Sequence, residues 1–360
     1  MSRLPRDLHP GAWWIWALGL ATAASLTTNP LLCVLLVAAA GLVVAVRRSD
    51  QPWSGSFRLY LGLGAVIVLI RVGFRVLFGG GPGTVWLQLP TVPLPHWVAG
   101  IRLLGPVTQE AVLGGVYDGL RLATLVVCVG AANALANPKR MLASMPPALY
   151  EIGTAVVVAV SVLPQLSDSL RRVRAAQTLR GSAGSRVGRT RRTVVPVMED
   201  ALERSLSLAA GMDVRGYGRV GAATPGERRA TGALLLGGLV GICVGVYALL
   251  DETAPRVLSW PMLALGVLTA LAGLVSAGRR VGRSRYRPDR WRPEELVVAV
   301  SGLLVAVLVD LAAVRDRVAT HPGVESWPVL TMPMVLAVAV ALAPALAAPP
   351  PAYDGDRRSS

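Results

Sequence analysis

Long apolar runs set the terms on which this chain can fold. Phe57 to Phe78, about Ala111 to Ala134, and roughly 231–250, 256–277, 295–314 and 328–348 are each near the ~20 residues a helix needs to cross a bilayer. One soluble core cannot hide so many of them: 53% of the 360 residues are hydrophobic, only 16% are charged, and the mean hydropathy is +0.54. The expected fold is all-α, a polytopic helical membrane protein. The apolar run after MSRLPRDLHPG reads as a membrane span rather than a cleaved signal, because many more such runs follow. Asn29-Pro30 breaks it into a tight hairpin of two spans, and Trp13, Trp14 and Trp16 suit an interfacial belt.

The charge pattern agrees with a bilayer. A net charge of +15 could point to nucleic acid, but the arginines cluster between apolar runs, as in the cytoplasmic loops of a multi-pass protein. The lipid bilayer is therefore an expected partner and nucleic acid is not. Lys139 is the only Lys and sits in ANPKRM, which excludes a phosphate-binding P-loop with its G-x-x-x-x-G-K-[ST] pattern. Cys33, Cys128 and Cys243 each lie inside an apolar run and read as buried. His9, His96 and His321 neighbour Pro and form no cluster. The sequence offers no metal site, no catalytic Ser-His-Asp set, no redox motif and no cofactor motif, so an enzyme is not expected.

One polar stretch interrupts this pattern, from Ser161 to Gly218. Leu163, Leu166, Leu170, Val173 and Gln177 recur at steps of three and four, and so do Met198, Leu202, Leu206, Ala209 and Met212. Each set falls on one face of a helix, with charge on the other face. Both helices end in Arg-Gly, at Arg180-Gly181 and Arg215-Gly216. Gly tolerates the left-handed conformation that closes a helix, and an Arg in the last turn can reach a partner's carboxylates with a planar, multi-donor group. The bland alternative is a pair of surface helices with ordinary C-terminal caps. The linker between them, GSAGSRVGRTRRT, reads as flexible.

This segment resembles the coupling-helix region of the transmembrane T component of energy-coupling factor (ECF) transporters, the family of the cobalt-transport membrane protein and of vitamin-uptake T components. The family's hallmark is two Ala-Arg-Gly motifs at the ends of cytoplasmic coupling helices. Here they read Leu179-Arg180-Gly181 and Val214-Arg215-Gly216: Ala is replaced twice, while Arg and Gly stand. The opening His9-Pro10, the Asn29-Pro30 before a Leu-rich run, and NP-x-R-M-L at 137–142 add to the likeness, which covers about residues 9–218. It implies a non-catalytic subunit in a bacterial plasma membrane. Arg180, Gly181, Arg215 and Gly216 would contact two cytoplasmic ATPase subunits. Leu166, Leu170, Val173, Leu202, Leu206 and Met212 would pack the two helices together or onto a substrate-binding membrane subunit. The substrates of the family are vitamins and transition-metal ions.

The expected organisation is an N-terminal transmembrane region at 1–163, cytoplasmic coupling helices at 164–218, and a C-terminal transmembrane region of about four helices with a polar tail at 219–360. An inside N-terminus with five full spans would place the Arg-Gly region outside. Either one segment is re-entrant, or residues 85–104 cross, or the spans number differently; the Arg density of 171–192 sets the region inside. Asp118 and Arg121 read as an i,i+3 pair, and Asp310 as facing the interior. The rivals are a self-contained secondary transporter and a membrane enzyme. The first needs an inverted repeat and the second a clustered catalytic set, and neither is visible.

Overall fold

A computed structural model describes residues 6–49, 55–78, 83–90, 92–93, 102–144, 150–179, 186–216, 224–251, 255–279 and 291–351. The chain is helical, as its apolar runs require: α1 (Pro10–Ser25), α2 (Pro30–Arg47), α3 (Phe57–Leu77), α4 (Gln109–Leu135), α5 (Pro138–Ala143), α6 (Tyr150–Leu179), α7 (Arg186–Val214), α8 (Pro225–Leu250), α9 (Arg256–Arg279), α10 (Pro293–Arg315), α11 (Arg317–Thr320), α12 (Met332–Ala341) and α13 (Ala343–Ala347). Seven helices among the described residues are long and apolar enough to cross a membrane. Between α3 and α4 lie four short strands, β1 (Val85–Gln88), β2 (Val92–Pro93), β3 (Arg102–Leu103) and β4 (Pro106–Thr108). They pair antiparallel, β1 with β4 and β2 with β3, so the described part of 85–104 is no helical crossing. Its prolines deny a helix the N–H groups it needs.

Two compact units emerge, one formed by residues 1–141 with 289–360 and the other by 142–288. In the first, α1 packs on α4 and α10, and α2 on α4 and α12. Pro30 opens α2 at a position with no use for its missing N–H, and the Asn29 side chain accepts from Leu31 N–H. Asn29 Nδ2 then donates to the carbonyls of Ala319 and Val329, both at 2.9 Å, tying the α1–α2 turn to α11 and to the segment before α12. Gly19 and Gly302 let α1 and α10 meet backbone to backbone; a methyl on either would overlap the other helix. Arg6 pairs with the fully buried Glu295 at 3.0 Å, and Arg140 donates to the Asp7 carbonyl at 2.9 Å.

Several expectations change here. Trp13 and Trp16 are buried, and Trp16 Nε1 donates to the Ala341 carbonyl at 3.3 Å. They belong to the core, because α1 is enclosed by α4 and α10 instead of lying at an edge. Asp118 does not pair with Arg121. It pairs with Arg75 of α3 at 3.0 Å, while Arg121 donates to the Ser25 carbonyl. Asp310 is exposed, one position beyond the buried stripe Val298, Gly302, Val305 and Val309. Cys33 and Cys128 are buried, but Cys243 is exposed.

In the second unit, α8 and α9 form a hairpin of near-constant register. Thr231 meets Ser276 at 3.3 Å, Gly238 meets Ala270, Gly241 meets Gly266, Gly245 meets Leu263, and Ser259 Oγ donates to the Ala248 carbonyl at 3.3 Å. Each step forward along α8 is matched by an equal step back along α9. Small residues at every contact bring the backbones close, which is how helices associate where lipid supplies no hydrophobic drive.

Candidate coupling helices

The second pair in this unit, α6 and α7, carries the Arg-Gly segment. The Ile152–Leu163 run does not end before a separate polar helix: α6 continues from Tyr150 to Leu179 as one element. The stretch expected to be a flexible linker is in part helical, since α7 begins at Arg186. Arg and Thr there are compatible with helix, and only residues 180–185 separate the two elements.

The helices run antiparallel, joined by polar contacts. At one end, Pro196 sits inside α7 and has no N–H to offer the carbonyl of Arg192, four residues back. Gln177 fills the gap: its Nε2 donates to the Arg192 carbonyl at 2.7 Å, and its Oε1 accepts from Thr193 Oγ1 at 3.0 Å. Further along, the Asp200 carboxylate is bonded by Arg204 at 3.0 Å and lies 3.6 Å from Arg172. A hydrogen bond from the buried Ser169, joined by these two arginines, holds its carboxyl below the ordinary aspartate range. Among the α7 residues whose burial is described, Thr193 and Val197 are the buried ones.

The residues singled out from the sequence fall into three groups. Leu166, Leu170 and Val173 share a face with Ser169 and Gln177 and are half-buried. Leu202 and Leu206 do not pack the helix pair; they are 62% and 63% exposed, as is Met198 at 53%, because α7 turns the Thr193–Val197–Asp200 side to α6. Met212 is half-buried and, with Gln165, Glu203 and Arg215, lines an open groove beside the end of α7. Arg215 is exposed, and Gly216 takes φ +79°, the left-handed conformation anticipated for a helix-ending Gly. Its N–H donates to the Asp213 carbonyl at 2.9 Å. Arg180 and Gly181 lie outside the described residues.

Sequence reasoning missed the Gln177–Pro196 relation and the Ser169–Asp200–Arg172 cluster. The Asp200/Arg204 spacing of i,i+4 was a readable sign of the latter, whereas a glutamine opposite a proline 19 positions on leaves no periodic trace.

Residues 1–224 match the family model of the cobalt transport protein, CbiQ. The chain belongs to this cobalt transport protein family. Two curated relatives share the likeness, each an energy-coupling factor transporter transmembrane protein EcfT. The one from Leuconostoc gelidum subsp. gasicomitatum is 28% identical over 191 residues, covering 46% of this chain and 71% of that protein. The one from Limosilactobacillus fermentum is 25% identical over 202 residues, covering 52% and 70%. As a member of the cobalt transport protein family with seven candidate spans, the chain is a multi-pass protein of the bacterial cell membrane and a component of an energy-coupling transporter. The match ends at residue 224, so α8 to α13 lie beyond it.

Proposed function

We propose that this chain is the non-catalytic membrane subunit that carries ATP-driven motion from two cytoplasmic ATPase subunits to a separate substrate-binding membrane subunit, for uptake of a vitamin or a transition-metal ion. The observation that carries this reading is the character of α7. It ends on an exposed Arg215 closed by a left-handed Gly216, and it presents an apolar stripe at Met198, Leu202 and Leu206 that no other helix of the chain covers among the described residues. The Arg is a free donor fork for an ATPase, and the stripe is an apolar surface for the substrate-binding subunit. Arg180 takes the same role for the second ATPase.

The test is co-purification of tagged chain in detergent with both kinds of partner, alongside substrate uptake. Losing one partner of a buried, hydrogen-bonded charge pair typically costs about 2–5 kcal/mol at an interface. One Arg→Glu change at Arg180 or Arg215 therefore weakens ATPase binding, and the double change abolishes it while the substrate-binding subunit still co-purifies. Leu206→Asp has the reverse outcome, losing the substrate-binding subunit and keeping the ATPases. If Arg180→Glu/Arg215→Glu retains both ATPases and normal uptake, the two arginines are ordinary helix caps and the mechanism is wrong.

A further inference from the structure

The α8–α9 hairpin lies beyond the matched residues, and one of its ends gathers charge that the coupling role leaves unused. The register continues past its last polar contact. Thr231 meets Ser276, so Arg228, three residues before Thr231, and Arg279, three after Ser276, fall at the same level and on the same faces. Both are exposed, as is the adjacent Arg229. The acidic residue nearby, Glu227, is engaged in the helix cap, where it accepts from Thr224 N–H at 2.9 Å. The end therefore carries an excess of positive charge, and the partly positive N-terminus of α8 adds to it.

Depth and shape narrow what such a site takes. From Ala230 to Leu250, α8 is apolar for about 30 Å, the thickness of a bilayer's hydrocarbon core. Arg228 and Arg279 thus stand where lipid headgroups lie. On α9, a shallow groove runs down from Arg279 along Ser276 to Val275, Ala272 and Leu271. Its mouth is cationic and its floor is apolar, the profile of a phosphate with an acyl chain beneath it. Two facing guanidiniums repel each other, and a bridging phosphate converts that repulsion into paired, charge-assisted hydrogen bonds. We propose that this end of the hairpin binds an anionic phospholipid, with Arg228 and Arg279 clasping the phosphate and the Ser276–Leu271 groove holding an acyl chain.

The test uses the full chain purified in detergent, with native mass spectrometry reading retained lipid after addition of phosphatidylglycerol or phosphatidylcholine. Wild type retains phosphatidylglycerol preferentially. Each basic residue beside an anionic lipid is worth roughly fivefold, so Arg228→Gln/Arg279→Gln lowers that retention on the order of tenfold or more, to the phosphatidylcholine level. Arg228→Lys/Arg279→Lys keeps the charge and most of the binding, and it also serves if the Gln pair fails to fold: near-wild-type retention by the Lys pair, with unchanged retention by Arg315→Gln at the end of another span, supports the assignment. Equal retention of the two lipids by wild type, or full phosphatidylglycerol retention by the Gln pair, overturns it. Displacement of phosphatidylglycerol by inorganic phosphate also overturns it, because the site would then take a free ion.

Discussion

The two helix pairs of residues 142–288 are built on opposite principles. In α8–α9 the seam is made of glycines and small residues, and backbone touches backbone at Gly238, Gly241, Gly245 and Gly266. Nothing in such a seam can slide without steric clash, and its register is fixed along its whole length. In α6–α7 the seam is held by side chains that reach: Gln177 to a carbonyl, Ser169 and Arg172 to Asp200. Such contacts can break and re-form, and the apolar stripe of α7 faces outward. A rigid pair suits a fixture in the membrane. A pair joined by a few polar contacts suits a part that must move when a partner pushes it.

The same substitution should separate the two pairs most strongly. A Cβ at Gly266 would lie 2.5 Å from Ile242 N and 2.6 Å from Gly241 C, with rigid backbone on both counts. Gly266→Ala should therefore destabilise the protein by about 1–3 kcal/mol, the usual range for overpacking. At Gly211 on α7, a Cβ would meet nothing within 4 Å. Gly211→Ala should stabilise by up to about 1 kcal/mol through helix propensity alone. Thermal unfolding of both variants in one detergent checks this. Equal shifts of the same sign would end the distinction between a locked and an adaptable pair.

Much of this was legible beforehand. Apolar length located α2, α3, α4 and α8 to α10, because a span leaves about 20 residues of unbroken signal in the chain. The helix break at Asn29-Pro30 and the Gly216 cap were readable because both rest on local backbone chemistry. What stayed hidden depends on partners far apart in sequence. Asp118 prefers Arg75, 43 residues away, over Arg121 one turn on, and periodicity knows nothing of α3. Trp16 fits a belt or a core equally well until α10, nearly 300 residues on, is seen to close over it. On α7, the stripe of Met198, Leu202 and Leu206 was correctly one face of a helix, but a sequence cannot say whether its cover comes from the same chain.

The next test concerns the proline gap, with a smaller effect. Gln177→Ala leaves the Arg192 carbonyl without its donor and should cost about 1 kcal/mol, the net value of a typical hydrogen bond. Pro196→Ala restores an N–H at position 196, which can donate to that carbonyl within α7. In the Pro196→Ala background, Gln177→Ala should then cost less, with a coupling of about 0.5 kcal/mol or more in a double-mutant cycle. Additive effects would mean that Gln177 is a surface contact unrelated to the proline. A positive coupling would show that α6 completes the hydrogen bonding of α7, so that pulling the pair apart exposes a defect in α7 itself.

The smallest expected effect is that of pH. The hydrogen bond from Ser169 and the arginines around Asp200 hold its carboxyl below the ordinary aspartate value of about 3.9. A depressed folded-state value means that the contact favours the charged form. Its contribution is fully present above the ordinary value and is lost as pH falls through the depressed one. The α6–α7 pair should thus be indifferent to pH near neutrality and loosen only in acid. Among the described residues, the α8–α9 contacts are Gly approaches and the hydroxyls of Thr231 and Ser276, which do not titrate in acid, so this seam should not respond. Spin labels at Arg174 and Met198 would report the first pair, and labels at Leu236 and Leu271 the second. Acid should broaden the first distance distribution and leave the second unchanged. Because the Asp200 side chain is still 33% exposed the broadening should be slight, and Asp200→Asn should remove the acid response by leaving the first pair loosened at every pH. A response of equal size in both pairs would show that acid acts on the whole protein, and the polar seam would lose its claim to be the adjustable one.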